Sequence, residues 1–172
     1  MDWSRLLRRG AGQPPPRVFL GTLGVIPRSE LRRDLESWFL LASRDLEGTL
    51  HDTLREVFAF PPVSSVDAAL DTDLVLDIVV AGFSTGAAFY GDLPIVWRPK
   101  VKVAARLYYL KSGEVKDLHA VIHRLAWSDF LRVIWHRWWD FGWRPSNFDH
   151  DEMEFLLGQA CVRLLRKLKR AV

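Results

Sequence analysis

Cysteine is nearly absent. Cys161 stands alone in 172 residues, which excludes an intrachain disulfide and any cysteine-based metal cage. No apolar run approaches the ~20 residues that a bilayer-spanning helix needs. There is no GxGxxG or Walker loop, so nucleotide binding has no motif behind it. Charge of one sign is also scarce: 24 Lys and Arg against 21 Asp and Glu leave +3. The basic residues are scattered until the last helical turn, which argues against nucleic acid as a partner. Met1–Gly12 carries Arg5, Arg8 and Arg9 but no apolar signal core, and no lipobox cysteine follows. Either the chain is not exported, or its signal lies outside these residues.

What the chain has in excess is large aromatics in one place. Five of its eight Trp and three of its ten Phe fall between Trp127 and Phe148. Phe130, Leu131, Ile134, Trp135, Trp138 and Phe141 recur at steps of three and four, the spacing of one helical face. Asp129, Arg132, His136, Arg137 and Asp140 take the opposite side. Ser128 is the expected N-cap, and Gly142 the expected left-handed stop. Three roles are open to such a helix. It can fill a core, anchor a protein interface, or lie in a membrane surface with Trp and Phe at headgroup level and Arg132 and Arg137 toward phosphates. The last two are compatible. Trp127, Trp139 and Trp143 fall off or at the edge of the stripe, and one buried face has no room for all of them, which favours exposure.

The rest reads as one α+β domain, residues 17–172, behind a Pro-rich arm, residues 1–16, stiffened by Pro14-Pro15-Pro16. Val18–Ile26 is the first strand, its Gly21 and Gly24 marking a bulge, a twist or a close backbone approach. Leu31, Leu35, Trp38, Ala42, Leu46, Leu50, Leu54 and Phe58 predict a helix over about 30–58, or a shorter one starting after Ser43, stopped by Pro61-Pro62. Strands are expected at Asp73–Phe83, Trp97–Leu110 and Val115–Leu125, with Gly113 at positive φ in the last hairpin. Met153 through Leu168 give a final helix one apolar stripe, and Asp151 and Glu152 suit its start. The expected architecture is a two-layer α+β sandwich. Its mostly antiparallel sheet has about four strands, with two long helices on one face and the aromatic amphipathic helix in addition. The other face would carry Lys100, Lys102 and Arg106 to water or a partner.

Candidate chemistry is thin. Gly82-Phe83-Ser84-Thr85-Gly86 matches the string of a hydrolase elbow, but the residues after it head toward a strand where an elbow needs a helix. A small-ligand pocket or hydrolase site shaped by Ser84, Tyr90 and the Gly-rich loop 82–91 is the alternative reading. His119 and His123 share a strand face but stand ~13 Å apart, too far for one ion. His136 and Asp140 have the spacing of a helix-surface ion pair. Asp149, His150, Asp151 and Glu152 read more simply as an acidic helix start than as a metal site. No catalytic, cofactor or metal residue is therefore expected, and the chain is not read as an enzyme.

The segments DTDLVLDIVVAGF and VKVAARLYYLKSGEV, together with the terminal helix EFLLGQACVRLLRKL, carry a resemblance covering residues 18–125 and 150–170. The pattern is similar to small bacterial envelope proteins. They are the LptE-type lipopolysaccharide-assembly lipoproteins, the TolB N-terminal domain, auxiliary lipoproteins of ABC-type lipid transporters, and PelC-type lipoproteins. The resemblance implies a non-enzymatic, membrane-associated scaffold of the cell envelope, favouring the periplasmic side, assembled as a ring or bound to a larger membrane machine. The chain departs from these families by lacking the lipid-anchor cysteine. The contact residues expected are Trp127, Phe130, Arg132, Ile134, Trp135, Arg137, Trp138, Trp139, Phe141 and Trp143. They would meet a membrane complex, a second copy or a lipid surface.

Overall fold

The computed structural model describes residues 16–27, 46–85, 98–141 and 150–171, with the side chains of 136–141, 150, 170 and 171 outside the description. Chain order is β1 (Val18–Val25), α1 (Leu46–Val57), a 3-10 turn at Val63–Ser65, β2 (Leu74–Ser84), β3 (Lys100–Tyr109), β4 (Val115–Arg124), α2 (Trp127–Phe141) and α3 (His150–Ala171). The expected α+β class holds, as a four-stranded mixed sheet in the order β1-β2-β3-β4. β1 and β2 are parallel, and the other pairs are antiparallel. A parallel pair needs a crossover, and α1 lies in the connection that supplies it. The arm 1–16 lies almost wholly outside the described residues. So do the first half of the expected 30–58 helix, the loop 86–97, and Gly142 with its turn.

The sheet has one closed face. Leu74, Leu76, Ile78 and Val80 of β2 alternate inward, beside Val101, Val103, Ala105 and Leu107 of β3. A bulge between Val80 and Gly82 shifts the parity, so that Phe83 also points inward. Two helices cover this face. α1 contributes Leu46, Leu50 and Leu54, spaced four apart, and α3 lies along β3 and β4 with its stripe from Met153 to Leu168 buried except for the half-buried Leu165.

Two glycines have identifiable tasks. Gly113, at φ 70°, closes the β3–β4 hairpin, with its N–H donating to the Tyr109 carbonyl at 2.9 Å. Gly21 sits in the β1 bulge between Leu20 and Leu23. A Cβ there would stand 2.1 Å from Asp77 Oδ1 and 2.7 Å from Val75 Cγ1, so the close approach admits no side chain.

The start of α2 corrects one expectation. The helix begins at Trp127, and the Ala126 carbonyl accepts the first helical bond from Phe130 N–H at 2.9 Å. Ser128 therefore lies inside the first turn and does not precede it. Asp129 in the same turn suits the positive end of the helix.

Candidate interaction surface

Nine α2 side chains, Trp127 through Trp135, are described, and they divide in two. Phe130 is fully buried and belongs to the main core, with Val133 and Ile134 half-buried beside it. Trp127, Leu131 and Trp135 are 52 %, 57 % and 58 % exposed. They are four residues apart, so at about 100° per residue they line one side of the helix within roughly 80° of arc. The expected single apolar face is thus two faces. Phe130 is a core residue and not a surface contact. Leu131 does not share its side, because 100° of rotation carries it past the edge of the core. Arg132 is exposed, as expected. Arg137, Trp138, Trp139, Phe141 and Trp143 lie outside the described side chains.

Trp127 joins the two faces. Its ring meets Phe130 edge-on at 5.7 Å, while the Arg98 guanidinium sits over it at 4.5 Å. Arg98 also donates to the Leu125 carbonyl at 3.2 Å, which fixes the guanidinium at the end of the sheet. No local sequence signal links residues 98 and 127. The β3–β4 register brings them together.

The second face of the sheet buries Phe19 and Val75 where β1 and β2 pair, and its exposed part, over β3 and β4, has two unlike halves. In one half, Arg106 donates to Asp77 Oδ2 at 2.7 Å, and Asp77 Oδ1 accepts the Thr22 N–H in the β1 bulge at 2.8 Å. Its charges are paired. In the other half Lys100 lies directly opposite Arg124 and Lys102 opposite Ile122, all exposed. Among the described residues none of these three cations meets a carboxylate. Leu118 and Ile122, 68 % and 54 % exposed, continue along β4. These two were not singled out from the sequence. Both parities of β4 carry apolar residues, so alternation alone did not show which side would face outward.

Other candidates are occupied by structural work. Ser84 Oγ donates to the neighbouring Thr85 carbonyl at 3.2 Å, and among the described residues no histidine bonds to it. His123 is buried with Nε2 2.6 Å from Gln159 Oε1, and burial holds its pKa below the ordinary value. The carbonyl oxygen of the amide must accept, so Nε2 carries the proton, and Nδ1 is buried without a partner. His119 Nε2 lies 2.9 Å from Asp117 Oδ2, within ion-pair reach but not aligned as a hydrogen bond. Burial pushes the Cys161 thiol up to about 12, which leaves it unreactive. Asp73, fully buried, accepts from Arg17 Nε and from Leu70 N–H, each at 2.8 Å, and clamps the starts of β1 and β2. Asp151 and Glu152 stand in the first turn of α3, while Asp149 and the side chains of His136, Asp140 and His150 lie outside the description. Among the described residues no cluster of His, Cys, Asp and Glu could hold a metal, and no helix is long and apolar enough to cross a membrane.

No protein-family model and no curated protein matches the chain. Several solved structures are similar at low identity. A PelC dodecamer from Paraburkholderia phytofirmans is 15% identical, over 63% of this chain and 68% of that one, with a TM-score of 0.33. A hypothetical protein from Chlamydia trachomatis is 11% identical over 90% and 96%, with a TM-score of 0.45. A lipoprotein from Neisseria meningitidis is 13% identical over 71% and 94%, with a TM-score of 0.31. Likenesses this distant assign no role.

Proposed function

We propose that this chain is a non-catalytic docking subunit of a bacterial cell-envelope or membrane complex, and that α2 is the element that docks. The observation carrying the proposal is the row Trp127, Leu131 and Trp135, each more than half exposed on one side of one helix. A single exposed Leu is ordinary on a protein surface. Three large apolar side chains in line, two of them Trp, form the kind of anchor that interfaces bury. Phe130 supports the same reading from within, because it fixes the helix to the core and presents the row on a rigid element. The envelope placement rests on the pattern shared with envelope lipoproteins over residues 18–125 and 150–170. Within that class, a ring-forming version sets the row against a second copy. A version bound to a larger machine sets it against another protein or the membrane.

The test compares the full chain with the double variant Trp127→Ser, Leu131→Gln. Light scattering at rising concentration reports self-association, and co-sedimentation with envelope membrane fractions reports docking. The wild type is expected to enlarge or to sediment, and the double variant to do neither while keeping the circular-dichroism spectrum of the folded chain. A wild type that stays monomeric and indifferent to membranes overturns the proposal, as does a variant that behaves like it.

A further inference from the structure

We propose that the surface α2 docks on is an anionic lipid membrane, and that the bare end of the open sheet face, Lys100, Lys102 and Arg124, is the headgroup-binding half of that site. This rests on α2 being the docking element, and it adds the chemistry of the partner. Like charges directly opposite on neighbouring strands destabilise a sheet, yet Lys100 and Arg124 face each other across β3 and β4. Elsewhere around the sheet Arg17, just before β1, has Asp73, Arg106 has Asp77, and Lys111, just past β3, has Asp71, while Arg98 and Lys116 lie over the Trp127 and Tyr109 rings. At this end no described carboxylate answers. Among the described residues, then, these cations have room for an external anion.

Position selects the kind of anion. Arg124 is three residues before Trp127, and Arg98, two residues before Lys100, holds its guanidinium over the Trp127 ring. These cations thus adjoin the start of the exposed apolar row, and Ile122 lies among them, opposite Lys102. A soluble polyanion would use the cations and leave the apolar row in water, and a protein partner would have to bring carboxylates and an apolar pocket in the same arrangement. A membrane surface uses both at once, with indole rings at headgroup depth and Lys and Arg against phosphates. Asp129, the acid in the first turn of α2, falls roughly 160° round the helix from Leu131 and does not oppose this contact.

The experiment is vesicle co-sedimentation of the full chain. It uses pure phosphatidylcholine vesicles and vesicles in which a third of the lipid is phosphatidylglycerol. The variants are Lys100→Gln, Lys102→Gln, Arg124→Gln together, and Trp127→Ser, Leu131→Gln together. The wild type is expected to prefer the anionic vesicles, and added salt should weaken that binding. The triple charge variant should bind them on the order of 100-fold less well, at about tenfold or less per cation, with its melting temperature unchanged or raised. The apolar variant should bind neither vesicle. Equal wild-type binding to both vesicles, or a triple variant that binds like the wild type, overturns the headgroup assignment while leaving the docking of α2 standing. Release of the chain from vesicles by stoichiometric polyglutamate overturns it in favour of an acidic protein partner. Self-association through the row with no vesicle binding overturns the membrane as partner. An apolar variant unchanged in both self-association and vesicle binding overturns the docking reading itself.

Discussion

Helices α2 and α3 are both amphipathic, and they meet different fates. α3 turns Met153, Leu156, Leu157, Ala160, Cys161, Leu164 and Leu168 into the core and exposes few large apolar groups, Phe155 and Val162 among them. α2 commits Phe130 and leaves Trp127, Leu131 and Trp135 more than half in water. The difference lies in the wall available to each helix. The closed sheet face is already covered by α1 and α3, so among the described side chains of α2 one reaches the core fully and two more by their edges. Hydrophobic spacing gives an apolar arc on a helix, and the free area of the neighbouring layer decides how much of that arc is consumed.

This contrast can be broken from the inside first. Phe130→Ala should cost about 3–5 kcal/mol in urea unfolding, because it empties the one fully buried position among the described α2 side chains. A loss under about 1 kcal/mol would mean that Phe130 does not hold the helix and that the two arcs are equivalent. The closed and open faces of the sheet can be compared in the same way. Gly21→Ala should cost about 1–3 kcal/mol, since the added methyl displaces Asp77 and with it the Thr22 and Arg106 contacts. No change in the urea midpoint would show that the open face is loosely built.

Protons sharpen the comparison from the α3 side. Burial, reinforced by the charge of Arg163 and partly offset by Gln159, keeps the His123 imidazole below its ordinary value. The unfolded chain then takes up its proton at a higher pH than the folded chain. Stability from this group is complete above about 6.5 and is lost as pH falls toward the lower folded value. The urea midpoint should drop between pH 7.5 and 5, and His123→Gln should flatten that drop. Asp73 acts in a lower window. Arg17 hydrogen bonds hold its carboxyl below the ordinary range, against burial, with help from the Leu70 N–H and the Arg17 charge. Its contribution is complete above about 3.9 and fades as pH falls through the lower folded value. Smallest of all, Leu131→Gln should leave stability within about 0.5 kcal/mol, as surface substitutions do. A larger loss would place Leu131 in the core and erase the second arc.

Much of this was legible in the residues. Val101, Val103, Ala105 and Leu107 alternate cleanly, and they form the inner side of β3. The stripe of α3 and the positive φ of Gly113 follow from spacing and turn chemistry. The glycines of β1 signalled irregularity, although the carboxylate crowding position 21 is that of Asp77, on the neighbouring strand β2. Long-range partners of that kind were the illegible part: the Arg17–Asp73 clamp, Arg98 on Trp127, and Lys100 facing Arg124. Each depends on register, which is fixed only when strands pair. The split of α2 was hidden for a related reason. Phe130 and Leu131 are equally apolar, and only the way the helix sits against the core separates them.

The most direct test of the exposed row is a reporter placed in it. Cys161 is buried with its thiol pushed up to about 12, so a polarity-sensitive thiol dye will label Leu131→Cys in preference to it. Arg163→Cys, on the exposed side of α3, serves as the control. On addition of membranes bearing anionic lipid, or of excess unlabelled chain, the dye at 131 should shift to the blue and the dye at 163 should not. A dye at 131 that keeps its water spectrum under every condition would contradict the account.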